Sequence, residues 1–146
     1  MNILLIIIVA FIVLELSNEV LLYFFPQSKK GNGVGVFNAY EKSKQDPEVH
    51  RLVKYLVNWV AGTKLIFIAL LIVILITGDS TTRYYCMVAL VLSISTFYWR
   101  LYPIIREMDK NNELTPSGYS KTLGYMIGGF ISLFILSLIL SELNLF

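Results

Sequence analysis

Glu15 and Glu19 lie in the middle of an apolar stretch that runs from Ile3 to Phe25. A helix of about 20 apolar residues is long enough to cross the hydrocarbon core of a bilayer, which is about 30 Å thick. An acidic side chain at such a depth is costly unless another group inside the protein compensates its charge. The first helix therefore needs neighbouring helices that carry bases.

The composition of the chain is typical of a membrane protein. Of its 146 residues, 56% are hydrophobic and only 15% are charged, whereas about a quarter of the residues in soluble domains are charged. We expect residues 1–146 to form a single transmembrane domain, because four spans with short loops leave no room for a separate soluble domain. The net charge of +2 is too small to indicate nucleic-acid binding.

Four apolar segments predict an all-α, polytopic membrane protein. Because the turn between the second and third spans is short, at residues 79–83, these helices should be antiparallel neighbours in a four-helix bundle. The predicted partner of the whole chain is the lipid bilayer. The spans are expected at about residues 3–25, 52–77, 84–105 and 120–141.

Several residues mark where these helices begin and end. Asp46-Pro47-Glu48 is a helix start, because Asp caps free amides and Pro suits the first turn. Gly78 is the corresponding stop. Pro103 predicts a kink or the end of the third helix, and Thr115-Pro116 predicts the start of the fourth.

The basic residues predict the orientation in the membrane. They cluster around the first and third loops, at residues 27–50 and 106–119, and only Arg83 lies on the opposite side. The positive-inside rule therefore places these two loops in the cytoplasm and both termini outside. The clustered bases are Lys29, Lys30, Lys42, Lys44, Arg51, Lys54, Arg106, Lys110 and Lys121.

Lys64 and Arg100 are the only bases within the other apolar runs. If Glu15 lies near the midplane, helical rise puts Lys64 about 4 Å, Glu19 about 7 Å and Arg100 about 8 Å toward the cytoplasm. These depths predict a buried charge layer in which Glu15 pairs with Lys64 and Glu19 pairs with Arg100. Two negative and two positive charges would leave the interior neutral.

The charge layer has two interpretations. It could fix how the first three helices dock, as buried polar groups do in some proteins. It could instead line a path for protons or small ions, because ionisable groups inside the membrane often mark such paths. Complete compensation favours docking, since a carrier would more naturally keep one acid without a partner.

Gly124, Gly128 and Ser132 lie four residues apart in the fourth predicted helix. A stripe of small residues lets another helix approach closely. The stripe predicts helix packing, and with it a homo-oligomer or a partner membrane protein.

A second stripe, Arg51, Lys54 and Asn58, lies at the predicted cytoplasmic mouth of the second helix. Its spacing, together with Arg100-Leu101-Tyr102-Pro103, resembles the membrane-associated eicosanoid and glutathione metabolism family. The resemblance implies glutathione binding between the subunits of a trimer, with Arg100 stabilising the thiolate. The chain departs from the family at Lys54, where the family has arginine, and at Ala61, where it has glutamate. The alternative interpretation of the stripe is that Arg51 and Lys54 bind the phosphates of lipid headgroups and anchor the helix there.

The sequence shows no catalytic constellation. His50 is the only histidine and has no cysteine nearby, so neither a metal site nor a cofactor is expected. Three hypotheses follow, of which the first is favoured: a noncatalytic accessory or interaction subunit. The alternatives are a small transporter or channel that conducts protons or small ions through the charge layer, and a glutathione-dependent membrane enzyme.

Overall fold

The computed structural model describes residues 3–31 and 33–143, and this part of the chain contains five α-helices and no strand. The long helices are α1 (Ile3–Phe24), α3 (Pro47–Thr77), α4 (Ser80–Lys110) and α5 (Tyr119–Glu142), and the short one is α2 (Asn38–Ser43). All four long helices are long and apolar enough to cross a membrane. The all-α fold is thus confirmed, whereas the antiparallel order and the sidedness of the loops stay predictions.

Aspartates cap two of the long helices. One carboxylate oxygen of Asp46 accepts hydrogen bonds from the amides of Glu48 and Val49, at 2.9 and 3.2 Å, which confirms the predicted start of α3. Asp79 accepts a hydrogen bond of 2.8 Å from the Thr82 amide and caps α4. Only Gly78 and Asp79 therefore separate α3 from α4, a shorter connection than the predicted turn.

Two predicted helix boundaries differ from the structure. Pro103 predicts a kink or the end of the third helix, but α4 continues through it to Lys110. A proline inside a helix removes one backbone hydrogen bond and crowds the carbonyl of the preceding turn, but the helix continues for seven residues beyond Pro103. The fourth helix begins at Tyr119, after Gly118 with a φ of 82°, and not at Thr115-Pro116. Thr115 belongs instead to the connection before α5, where its amide donates to the carbonyl of Val36 at 2.8 Å.

The connections before α3 and before α5 are joined to each other. Phe37 and Leu114 form an antiparallel bridge, and the Asn38 amide donates to the Glu113 carbonyl at 2.9 Å. The Thr115 hydroxyl also donates to the side-chain oxygen of Asn38, at 2.8 Å. These bonds hold the two connections together at one end of the structure, which we call the loop end.

The core is built around α1, which contacts all three other long helices. Phe11 makes edge-on ring contacts with Phe67 of α3 and with Phe130 and Phe134 of α5, at centroid distances of 6.3, 6.0 and 5.2 Å. The other buried residues around it come from α1, α3 and α4 and are entirely apolar. They are Leu4, Ile8, Ile12, Ile68, Leu71, Met87 and Leu90.

Helices α4 and α5 pack through tyrosines against the predicted small-residue stripe. The hydroxyl of Tyr98 donates to the carbonyl of Gly124 at 2.6 Å. A Cβ atom at Gly124 would lie 2.8 Å from the Tyr102 ring, and one at Gly128 would lie 2.9 Å from the Tyr98 hydroxyl. The stripe therefore packs at Gly124 and Gly128 against α4 of the same chain, whereas Ser132 is exposed.

This packing predicts that Gly124→Ala destabilises the protein. The added methyl group must displace the Tyr102 ring, and overpacking of this kind costs about 1–3 kcal/mol. Gly129→Ala in the same helix is the matched control, because nothing lies within 4 Å of a Cβ atom there. We expect a lower unfolding midpoint in mild detergent for Gly124→Ala only; equal midpoints for the two variants would contradict this close packing.

The cap of α4 predicts a pH-dependent contribution to stability. Hydrogen bonds from Thr82 hold the pKa of the Asp79 carboxyl below its ordinary value. The ionised carboxylate therefore stabilises the fold above about pH 4, and this contribution is lost as the pH falls through the lowered pKa. We expect Asp79→Ala to lower the unfolding midpoint at pH 7, and its difference from the unmodified protein to shrink below pH 4.

Asp79→Asn separates the charge from the hydrogen bond. The asparagine keeps a side-chain oxygen for the Thr82 amide but has no carboxyl group to titrate. Its midpoint, measured at the same pH values, should lie between those of the other two proteins at pH 7. A deficit of Asp79→Ala that stays constant with pH would show that the charge of Asp79 does not contribute.

Candidate functional site: a buried charge cluster

Lys64 of α3 reaches two carboxylates of α1. Its ammonium nitrogen lies 2.7 Å from Oε2 of Glu15 and 3.9 Å from Oε2 of Glu19. Both acids can meet one lysine because residues four apart lie on the same face of a helix. We call Glu15, Glu19 and Lys64 the charge cluster.

Glu19 has the weakest polar contacts of the three residues in this cluster. It is only 3% exposed, and neither of its carboxylate oxygens accepts a hydrogen bond from the described residues. The distance of 3.9 Å to Lys64 allows electrostatic attraction but is too long for a hydrogen bond. By contrast, the Glu15 and Lys64 side chains are in direct contact and are 16% and 22% exposed. With all three groups ionised, the cluster carries a net charge of −1.

The predicted pairing of Glu19 with Arg100 is wrong. Arg100 is exposed, and its guanidinium lies 5.3 Å from the centre of the neighbouring Trp99 ring. The inward face of α4 carries Leu90 and Ile105, and helical rotation places Arg100 roughly 80–140° away from both. The similar predicted depths of Glu19 and Arg100 therefore do not place the two side chains in contact.

A cavity of about 410 Å³, which we call the lysine cavity, reaches the charge cluster from the loop end. Its lining comes from all four long helices, and Gly33, Val34 and Phe37 of the first connection also contribute. Lys64 is the only charged residue in this lining. Lys64 thus lines an apolar cavity and contacts the carboxylates of α1.

Glu19 lines a second, smaller cavity of about 160 Å³. Its other lining residues are apolar or aromatic and belong to the outer surface of α1 and α3. They are Leu16, Val20, Tyr23, Phe24 and Leu65. The two cavities share no lining residue, so they lie on different sides of the charge cluster.

The structure brings together only two of the three residues of the second predicted stripe. Lys54 and Asn58 line a small cavity of about 90 Å³ beside Tyr23 and Tyr40, but Arg51 does not contribute to it. All three stripe residues are exposed. Within residues 3–31 and 33–143, none of them forms a side-chain hydrogen bond or an ion pair with another.

Sequence reasoning missed the role of His50. Its Nδ1 lies 2.9 Å from the hydroxyl of Ser43, and its ring packs near Tyr40 at a centroid distance of 5.8 Å. These contacts attach α2 to the first turn of α3. The spacing of Ser43 and His50 carries no known signal, so only the folded chain identifies this pair. The described residues contain no group of three metal-ligating side chains.

The chain matches no protein-family model, no curated protein and no solved structure. The resemblance to the membrane-associated eicosanoid and glutathione metabolism family therefore receives no support beyond the residues quoted for it.

The geometry predicts that Lys64→Met is strongly destabilising. It leaves two carboxylates without a cation, and removing one partner of a buried ion pair costs about 3–5 kcal/mol. The double variant Glu15→Gln with Lys64→Met removes one of the stranded charges and should recover part of the loss. Unfolding midpoints in mild detergent test this order.

Lys44→Met is the matched control. Lys44 also forms an ion pair of 2.7 Å, with Glu41, but the two side chains are 44% and 61% exposed. Surface pairs of this kind contribute about 0–1 kcal/mol, so Lys44→Met should change the midpoint little. A double variant no more stable than Lys64→Met alone would rule out compensation between Glu15 and Lys64.

Proposed function

We propose that this protein is a small membrane carrier whose charge cluster takes up and releases a proton or a small cation. The proposal depends on one observation: Glu19 is buried, receives no hydrogen bond from the described residues and shares Lys64 with Glu15. A net charge of −1 in apolar surroundings is costly. One proton or one monovalent cation would neutralise it.

The lysine cavity supports this proposal. A carrier needs a route from water to its ion site. Lys64 lines this cavity, and its ammonium nitrogen lies 2.7 Å from Glu15 and 3.9 Å from Glu19. Under the predicted topology, the lysine cavity opens toward the cytoplasm, because the first connection forms part of its wall.

The other hypotheses receive less support. The interaction-subunit hypothesis depended on a free small-residue stripe, and Gly124 and Gly128 pack against tyrosines of the same chain. Association with a second copy or another membrane protein stays a prediction. The glutathione hypothesis requires a crevice between subunits beside Arg51 and Arg100. Both side chains are exposed on different helices of the single chain, so this hypothesis stays a prediction.

Proton flux into liposomes tests the proposed function. The purified protein is reconstituted with a pH-sensitive dye inside the vesicles, and a potassium diffusion potential set by valinomycin drives protons inward. We expect faster internal acidification than in protein-free liposomes. Glu19→Gln should reduce the rate to the protein-free level, because an amide does not take up the proton. Sodium uptake, measured in parallel, covers carriage of a small cation.

Glu41→Gln is the control for this measurement. Glu41 is an exposed acid in α2, outside the four long helices, so its removal should leave the flux unchanged. The proposal fails if the unmodified protein raises neither proton nor sodium flux. It also fails if Glu19→Gln retains the same flux as the unmodified protein and the Glu41→Gln control.

A further inference from the structure

Another cavity lies outside the charge cluster, between the end of α4 and the start of α5. It has a volume of about 590 Å³ and shares no lining residue with the lysine cavity. Three bases line it, and we call it the basic cavity. Arg106 and Lys110 come from α4, and Lys121 comes from the first turn of α5.

The three bases are available to a ligand. None of them forms an ion pair within the described part of the chain. The one acid in the lining, Asp109, is already used at the start of α5. Its Oδ1 accepts from the Gly118 amide at 2.9 Å, and its Oδ2 accepts from the amide and hydroxyl of Ser120 at 3.0 and 2.6 Å. Three positive charges and one negative charge leave the lining with a net charge of +2.

Tyrosines form another part of this lining. Tyr98 is fixed by its hydrogen bond to the Gly124 carbonyl, and the Tyr102 ring packs against Gly124. The hydroxyls of Tyr102 and Tyr125 form no side-chain hydrogen bond with any residue the structure describes. Both hydroxyls are therefore free to donate to an anion.

We propose that the basic cavity binds a phosphomonoester group. Such a group carries a charge of about −1.5 to −2 at neutral pH, which matches the net charge of the lining. The planar guanidinium of Arg106 suits two phosphate oxygens, while the lysines supply point charges. Arg106 and Lys121 also flank the apolar parts of α4 and α5, at the level where lipid headgroups lie. The phosphate could belong to a lipid or to a soluble molecule.

Ligand titrations followed by native mass spectrometry in mild detergent test this site and identify the source of the phosphate. The probes are dioctanoyl phosphatidic acid, dioctanoyl phosphatidylcholine and glycerol 3-phosphate. We expect phosphatidic acid to bind more tightly than phosphatidylcholine. Arg106→Gln with Lys121→Gln should weaken its binding by about tenfold or more, the usual effect of losing charge-assisted hydrogen bonds.

The matched control is Lys29→Gln with Lys30→Gln, which removes the same charge from the first connection outside the basic cavity. It should change the affinity by less than about twofold. Lys110→Gln provides a second, single-site test and should also weaken binding. The unfolding midpoint of each variant is measured in the same detergent, and it should equal that of the unmodified protein.

Three results would overturn the proposal: equal binding of phosphatidylcholine, an equal loss in the Lys29 and Lys30 control, or no binding of either phosphomonoester. Binding of glycerol 3-phosphate as tight as that of phosphatidic acid would support the site and assign it to a soluble phosphomonoester. Failure of proton or sodium flux would leave this site unaffected, because the two sites have no residue in common.

Discussion

The fold depends on one lysine that serves two carboxylates inside an apolar helix pair. Glu15 and Glu19 both point toward Lys64, so α1 and α3 are held in one register and one rotation. Apolar contacts alone specify register less strictly, because hydrophobic residues of similar volume replace one another at small cost. The apolar core around Phe11 supplies attraction between helices, whereas the charge cluster selects which faces meet.

The sequence predicted those features that depend on position along a helix. The cap at Asp46, the stop at Gly78 and the common depth of Glu15 and Lys64 are all properties of one segment and its helical rise. The failures concern rotation and contacts between distant segments. Depth does not tell which way Arg100 points, and nothing near Thr115 in sequence shows that its amide bonds Val36. For the same reason, the small-residue stripe indicated close packing without identifying α4 as the partner.

Lys64 offsets only one of the two negative charges in the charge cluster, and this changes how the cluster is interpreted. Two complete ion pairs would need only a docking role, and the interior would be neutral. The structure instead leaves Glu19 buried with no hydrogen bond from the described residues. A feature that lowers stability without improving the packing is more easily explained by function than by folding. This reasoning favours an ion site over a purely structural pair, and it applies whether the ion is a proton or a metal cation.

The two proposed sites meet along the start of α5, where neighbouring residues line the two cavities. Along the start of α5, Gly118 and Ser120 line the basic cavity while Tyr119, between them, lines the lysine cavity. A positive lining lowers the local concentration of protons and other cations, and a bound phosphomonoester would cancel that charge. Such fields extend about 8 Å at physiological ionic strength. Since adjacent residues of α5 line the two cavities, the two proposals together imply that ligand binding in the basic cavity favours cation entry into the lysine cavity. The proposed carrier would then respond to a bound phosphomonoester without any change in the fold.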